Sequence, residues 1–193
     1  MRLKRLTLTN FKGIKSLTLD LDCKDASIYG DNATGKTSVY DAFLWLLFDK
    51  DSQNKSNFAI KTLDADGEPL HGLDHEVEAV LDIDGEDLTL KKSYKEKWVK
   101  RRGSATEEFS GHTTDYFLDG VPCKKSEYDE RIAEIANEKT FQLLTSPAHF
   151  NEVLHWEERR RILLDAFGDI TDEDVIASDK RLADLPDILG KRD

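Results

Sequence analysis

Polar and apolar residues alternate from the start of the chain. Arg2 to Thr9 carries Leu3, Leu6 and Leu8 among polar neighbours, and Ile14 to Leu21 alternates more clearly through Leu17, Leu19 and Leu21. A period of two puts these leucines on one face of a strand, so the two runs predict an antiparallel pair turning at Asn10-Phe11-Lys12-Gly13. A third short strand is predicted over Ala26 to Tyr29. After Lys36 the period lengthens: Val39, Ala42, Phe43, Leu46 and Leu47 fall at helical spacing, and Leu44, Trp45 and Phe48 make that helix apolar almost all round, hence buried. From about Asp49 to Gly120 the pattern predicts strands and turns. Val77, Ala79, Leu81 and Ile83 alternate, Asp84-Gly85 signals a hairpin, and Leu88, Leu90 and Tyr94 lie on the return. A second Asp-Gly turn, Asp119-Gly120, follows Tyr116-Phe117-Leu118. Helical spacing returns over Ser126 to Asn137, near Thr140 to Leu144, and over Trp156 to Phe167. Thr171 with Asp174 then predicts a helix-starting cap.

Between the third predicted strand and the buried helix lies Gly30-Asp31-Asn32-Ala33-Thr34-Gly35-Lys36-Thr37, a full match to G-x-x-x-x-G-K-[ST]. Glycines let the backbone wrap a phosphate chain, so that loop N–H groups and the helix start face the anion. Lys36 would reach the β- and γ-phosphates of ATP, and the Thr37 hydroxyl would ligate Mg²⁺. Hydrolysis also needs a strand ending in an acidic residue. Leu44–Asp49 and Ile162–Asp165 superficially fit, but both continue helical patterns, and Ala166 stands where a catalytic Glu would follow. The chain therefore reads as binding ATP without owning the whole active site, and no residue is assigned a catalytic role.

Composition narrows the class. The chain has 193 residues, 28 Lys and Arg against 39 Asp and Glu, and a net charge of −11. That length can bury a real core, and 38% hydrophobic residues with three Trp and nine Phe exclude wholesale disorder. No apolar run approaches the roughly 18–20 residues of a membrane helix, and the alternating N-terminus is unlike a signal peptide. Cys23 and Cys123 lack metal-ligand or redox spacing, which predicts a reducing, cytoplasmic setting. His149 and His155 flank a helix start and the other three histidines are scattered, so no metal is expected beyond nucleotide-bound Mg²⁺.

One strip departs from the acidic whole. Lys91 to Arg102 reads KKSYKEKWVKRR, a charge of +6 that leaves −17 for the rest. As a strand it puts Lys91, Lys95, Lys97 and Arg101 on one face and Lys92, Tyr94, Trp98, Lys100 and Arg102 on the other. Such a strip could track a nucleic-acid backbone, with Tyr94 or Trp98 packing beneath or stacking on a base. It reads equally as a solvated edge hairpin whose lysines discourage strand pairing. The DNA-binding candidates are Lys91, Lys95, Lys97, Lys100, Arg101 and Arg102. Arg159 to Arg161 reads as a solvated helix face answering Glu157 and Glu158.

The alternating first strand, Asn10-Phe11-Lys12-Gly13-Ile14, the second strand and a P-loop near residue 30 resemble the N-terminal half of an SMC/SbcC-type ABC ATPase head, an opening shared with RecF and RecN repair ATPases. The resemblance covers most of residues 1–168. It implies an α/β P-loop lobe with an antiparallel β-subdomain and C-terminal helices, and makes 169–193 a helical segment leading toward a coiled coil. In that family the Walker B and signature motifs lie in a C-terminal half beyond the coiled coil. The partners it implies are that half of the same ATPase, a second head in a homodimer, a nuclease subunit and double-stranded DNA, with no membrane. Carried onto this chain, the Walker A residues run through Gly30, Asp31, Asn32, Ala33, Thr34, Gly35, Lys36, Thr37 and Ser38, with Ala33 where a second Gly is usual. Lys12 matches a basic residue that approaches the nucleotide, while an exposed turn lysine is the plain alternative. The Q-loop falls near Leu143 to Leu154 with Pro147 in place of Gln, a departure that suggests a divergent, phage-type branch. Two other classes stay open: an OLD-type nuclease head, and a small P-loop kinase, against which the two strands ahead of the loop count.

Overall fold

The computed structural model describes residues 1–100, 107–146, 148–168, 171–185 and 188. They fall into two compact units, Met1–Glu138 and Lys139–Asp193. The first holds a six-stranded sheet of β1 (Arg2–Phe11), β2 (Ile14–Asp20), β3 (His75–Ile83), β4 (Glu86–Lys100), β5 (Glu107–Leu118) and β6 (Val121–Cys123), ordered β2-β1-β3-β4-β5-β6. Every neighbouring pair is antiparallel. The hairpins form where the alternation broke. Asp84 and Asp119 adopt φ 55° and 49° ahead of Gly85 and Gly120, the left-handed pairs a two-residue hairpin turn requires.

Register carries the inward residues across the sheet in rows. Leu6 lies opposite Ala79, which lies opposite Leu90; Leu8 lies opposite Val77, which lies opposite Lys92. Against this face packs α1 (Lys36–Phe48), whose Val39, Ala42 and Leu44 to Leu47 are buried with the sheet leucines and Phe11. α2 (Lys125–Ile135) packs beside β5, with Tyr128 and Ile132 buried. Tyr128 is fully enclosed, and its hydroxyl donates to Leu46 O at 3.0 Å, joining α2 to α1.

Two expectations change. The strand predicted over Ala26 to Tyr29 does not form: residues 23–30 are irregular, Ile28 is 49% exposed and Tyr29 88%. A strand needs a neighbour for its N–H and C=O groups, and no described strand pairs with this segment. After α1, strands resume only at His75, beyond a long connection from Asp49. That connection is ordered by its own polar residues: Asp51 Oδ1 accepts from the Gln53 and Lys55 N–H groups, and Asp64 Oδ1 from those of Asp66 and Glu68.

The second unit is helical. It holds most of α3 (Glu138–Thr145), a π-type turn at His149–Val153, α4 (Trp156–Phe167) and α5 (Asp172–Ser178). Leu44–Asp49 and Ile162–Asp165, the two acidic-ended runs, lie on or at the end of α1 and on α4. The predicted cap is present, with Thr171 Oγ1 accepting from the Asp174 N–H at 3.2 Å. Among the described residues no helix is long and apolar enough to cross a membrane.

Candidate nucleotide-binding site

The loop before α1 closes on its own lysine. Gly35 caps the helix at φ 94°, a left-handed geometry that glycine adopts without strain, and Lys36 opens the first turn. From there Lys36 Nζ folds back to donate to Gly30 O at 2.7 Å and Asp31 O at 2.5 Å. Thr34 Oγ1 donates to Asp31 O at 2.8 Å. A Cβ on Gly30 would sit 2.8 Å from that hydroxyl, so the loop closes this tightly only over glycine. Ala33 takes φ 65°, the left-handed position where a second glycine is usual.

This geometry fits a nucleotide's phosphates. An ammonium stands inside the loop, the first N–H groups of α1 have no acceptor within the helix, and both favour an anion there. Gly30 to Gly35 would wrap the phosphates, Lys36 would neutralise them, and Thr37 would hold the metal by its hydroxyl. Asn32 and Ser38 flank the same loop and helix start.

Beside the loop lies the β1–β2 turn. A Cβ on Gly35 would meet Ile14 Cγ1 at 3.4 Å, which places β2's first residue against the loop. Lys12, in that turn at φ 52°, extends to Asp41 of α1 with Nζ–Oδ2 2.6 Å, and its ammonium lies 5.0 Å from the Phe58 ring centroid. The Asp41 side chain is 5% exposed, and its Oδ1 accepts from the Ser52 N–H at 2.8 Å. Burial opposes its charge, but the bonds from Lys12 and Ser52 prevail and hold the carboxyl below the ordinary range. The connection from α1 closes around this turn, with Lys12 N donating to Ile60 O and Thr62 Oγ1 to Asn10 O. Asp41 was not singled out in the sequence. A lone carboxylate in an otherwise apolar helix is the signal that it has a buried partner.

At the far end of α1 a second charge is enclosed. Lys92 continues the Leu8–Val77 row into the core, where its side chain is 0% exposed. Its Nζ donates to Trp45 O at 2.8 Å and Asp49 Oδ1 at 2.6 Å, within 5.1–5.6 Å of the ring centroids of Trp45, Tyr116 and Tyr128. Burial pushes this ammonium down to about 8 against the pull of Asp49. Asp49 also accepts from Lys125 Nζ at 2.5 Å.

The basic strip alternates as expected, but its charges are largely answered. Lys91 pairs with Glu76 at 3.0 Å and Lys95 with Asp115. Lys97 is exposed; the side chain of Lys100, and Arg101 and Arg102 entirely, lie outside the described residues. On the opposite face Tyr94 stacks on His112 at 4.9 Å, and Trp98 meets the Phe109 edge at 5.6 Å. Glu96, the strip's one acid, is 4% exposed and accepts from Lys61 Nζ at 2.5 Å, His71 Nδ1 at 2.7 Å and the N–H groups of Gly72 and Trp98 at 3.2 Å. The Lys61 bond leads in holding its carboxyl down at about 2. In the helical unit Arg161 approaches Glu158 at 3.9 Å, while Arg159 Nη1 donates to Asn151 O at 3.0 Å. The stretch read as a Q-loop, Leu143 to Leu154, runs from the end of α3 into the π-type turn, and Pro147 lies outside the described residues.

The antiparallel sheet clasps a helix that follows a closed glycine loop, the arrangement of a P-loop lobe. A solved structure described as "Structural biochemistry of ATP-driven dimerization and DNA stimulated activation of SMC ATPases" shares this fold, with a TM-score of 0.59 over 86% of this chain and 98% of that one, at 17% identity. The chain belongs to the AAA domain family AAA_23, whose model matches residues 5–185. It is 24% identical over 171 residues to the chromosome partition protein Smc of Mycolicibacterium paratuberculosis, covering 87% of this chain and 14% of that protein. It is 28% identical over 156 residues to the DNA replication and repair protein RecF of Flavobacterium johnsoniae, covering 75% of this chain and 42% of that protein. The chain thus spans less than half the length of these curated relatives.

Proposed function

We propose that this chain is the ATP-binding N-terminal lobe of an SMC/SbcC-like DNA repair and recombination ATPase. The observation that carries the reading is the loop itself: Gly30 to Thr37 leads into a buried helix and closes over the Lys36 ammonium through two backbone carbonyls. ATP binds there with Mg²⁺ on Thr37. Walker B and the water-orienting acid come from a C-terminal half of the same ATPase, reached through a coiled coil beyond the 169–193 segment. Two such heads close as a homodimer on ATP, and closure regulates double-stranded DNA binding, with Lys97 and the strip beyond it as contacts, and a partner nuclease, in the cytoplasm. The Smc and RecF likenesses support the class, and Pro147 in the Q-loop region supports a divergent, phage-type branch. An OLD-type nuclease head shares the same lobe. A small kinase is disfavoured because the described sheet is wholly antiparallel.

Mg-ATP binding and turnover by the 193-residue chain, beside Lys36→Ala, test this. Binding that falls at least tenfold in Lys36→Ala, with no turnover in either, is expected. Steady Lys36-dependent turnover by this chain alone would overturn the half-site reading and restore the kinase.

A further inference from the structure

Lys12, a basic side chain outside the P-loop, is brought to the face of α1 that also carries Thr37. Thr37 and Asp41 stand four residues apart in α1, one above the other on a single face. Asp41 reaches from that face to the Lys12 ammonium at 2.6 Å, and Phe58 lies against the same ammonium at 5.0 Å. The turn is itself fixed: Lys12 N donates to Ile60 O, and Ile14 abuts Gly35. A lysine in a free turn samples many rotamers and brings little to a phosphate. This one has its charged end fastened on two sides, in the turn whose Ile14 abuts Gly35, and remains 26% exposed. An ammonium has three donors. The bond to Asp41 uses one.

We infer that Asp41, with Phe58, is a positioning residue that holds the Lys12 ammonium for the phosphate chain of a nucleoside triphosphate. The inference rests on the proposal that the P-loop binds ATP. It goes further by assigning Asp41, Phe58 and the 50–60 connection to the site. Ser52, on the other oxygen of Asp41, ties that connection to the same carboxylate, so the loop and the cation are set by one group.

Electrostatics makes the sign of the test informative. Asp41 is an anion near the site of a polyanion. If it merely added repulsion, or sequestered Lys12 from the phosphates, Asp41→Asn would tighten ATP binding. If it positions Lys12, the same change weakens binding, because the cation loses its placement while Asn keeps an oxygen for Ser52 N–H.

Mg-ATP affinity is measured by calorimetry on the 193-residue chain for wild type, Lys36→Ala, Lys12→Met, Asp41→Asn, Phe58→Leu and the Lys12→Met/Asp41→Asn pair. A charge-assisted contact corresponds to about a tenfold change. Lys12→Met and Asp41→Asn are each expected to weaken binding about five- to tenfold, and the pair no more than Lys12→Met alone. Phe58→Leu, which removes the ring but strands no buried charge, is expected to weaken it about two- to threefold. It carries the test if Asp41→Asn loses its cooperative melt. Tighter binding in Asp41→Asn, additive loss in the pair, or unchanged affinity in Phe58→Leu overturns the positioning role. Wild-type affinity in Lys12→Met overturns Lys12 as a phosphate contact, and the inference with it, while the P-loop reading stands. Binding indifferent to Lys36→Ala overturns that reading itself.

Discussion

Ala33 shows what one methyl group does in a loop built for glycine. Its φ of 65° is left-handed, and an L-residue with a Cβ is strained there by about 1–2 kcal/mol. Glycine removes that strain but returns about 0.5–1 kcal/mol through the freer unfolded chain. Ala33→Gly is therefore expected to stabilise the protein by about 0.5–1 kcal/mol, a rise of about 2 °C in melting temperature for a chain of this size. A lowered melting temperature in a thermal scan would show that the loop relieves the strain in some other way. Asp41 and Glu96 are the converse case. Each is an acid more than nine-tenths buried that would be costly alone and is held by several donors. The alternation had put Glu96 on a charged strip, but a buried carboxylate is recognised only by the residues that reach it, and Lys61, His71 and Gly72 come from a connection far away in sequence.

Within elements, the end of α1 is where packing and charge meet. Lys92 occupies an apolar row of the sheet and is tolerated because Asp49, the Trp45 carbonyl and three aromatic rings surround it. Removing Asp49 strands the enclosed ammonium, whereas replacing the cation by an apolar group of similar length leaves Asp49 one-third exposed and still paired with Lys125. Asp49→Ala should cost about 2–3 kcal/mol in urea melts, below the 3–5 kcal/mol of a wholly enclosed pair because Asp49 is one-third exposed. Lys92→Met should be within about 1 kcal/mol of wild type. The lowered Lys92 value sets the pH dependence. Below about 8 it is charged in both folded and unfolded chains. Between about 8 and its ordinary 10.5 the unfolded chain binds a proton that the folded one does not, so stability from this group rises with pH. Lys92→Met should remove that rise. Equal slopes in the two proteins would mean that Lys92 keeps its proton in the core.

At the scale of the molecule, the elements that pair with themselves were legible and those that wait for a partner were not. The apolar alternation of β1 and β3 specified strands because one face of each is buried in this chain, and that of β2 survives as Ile14, Leu17 and Leu19 being less exposed than their neighbours. The helical spacing of α1 held for the same local reason, while α4 forms with none of its residues buried. Ala26 to Tyr29 reads as a strand by composition, yet strand formation is a property of a pair, and the described sheet ends at β2 and β6 without admitting it. Ile28, half-exposed, and Tyr29, 88% exposed, stand directly before the glycine loop with no described strand as a neighbour. Under the proposed reading their neighbour belongs to the C-terminal half of the head. Hydrogen exchange can tell. Amides 26–29 should exchange at nearly unprotected rates in the 193-residue chain and become at least a hundredfold slower in a longer product carrying the complete head. Over the same comparison the β1–β3 amides, already paired, should change little. If 26–29 stay unprotected in the complete head, the loop is carried by a segment outside any sheet, and the second lobe must reach the nucleotide without extending this strand.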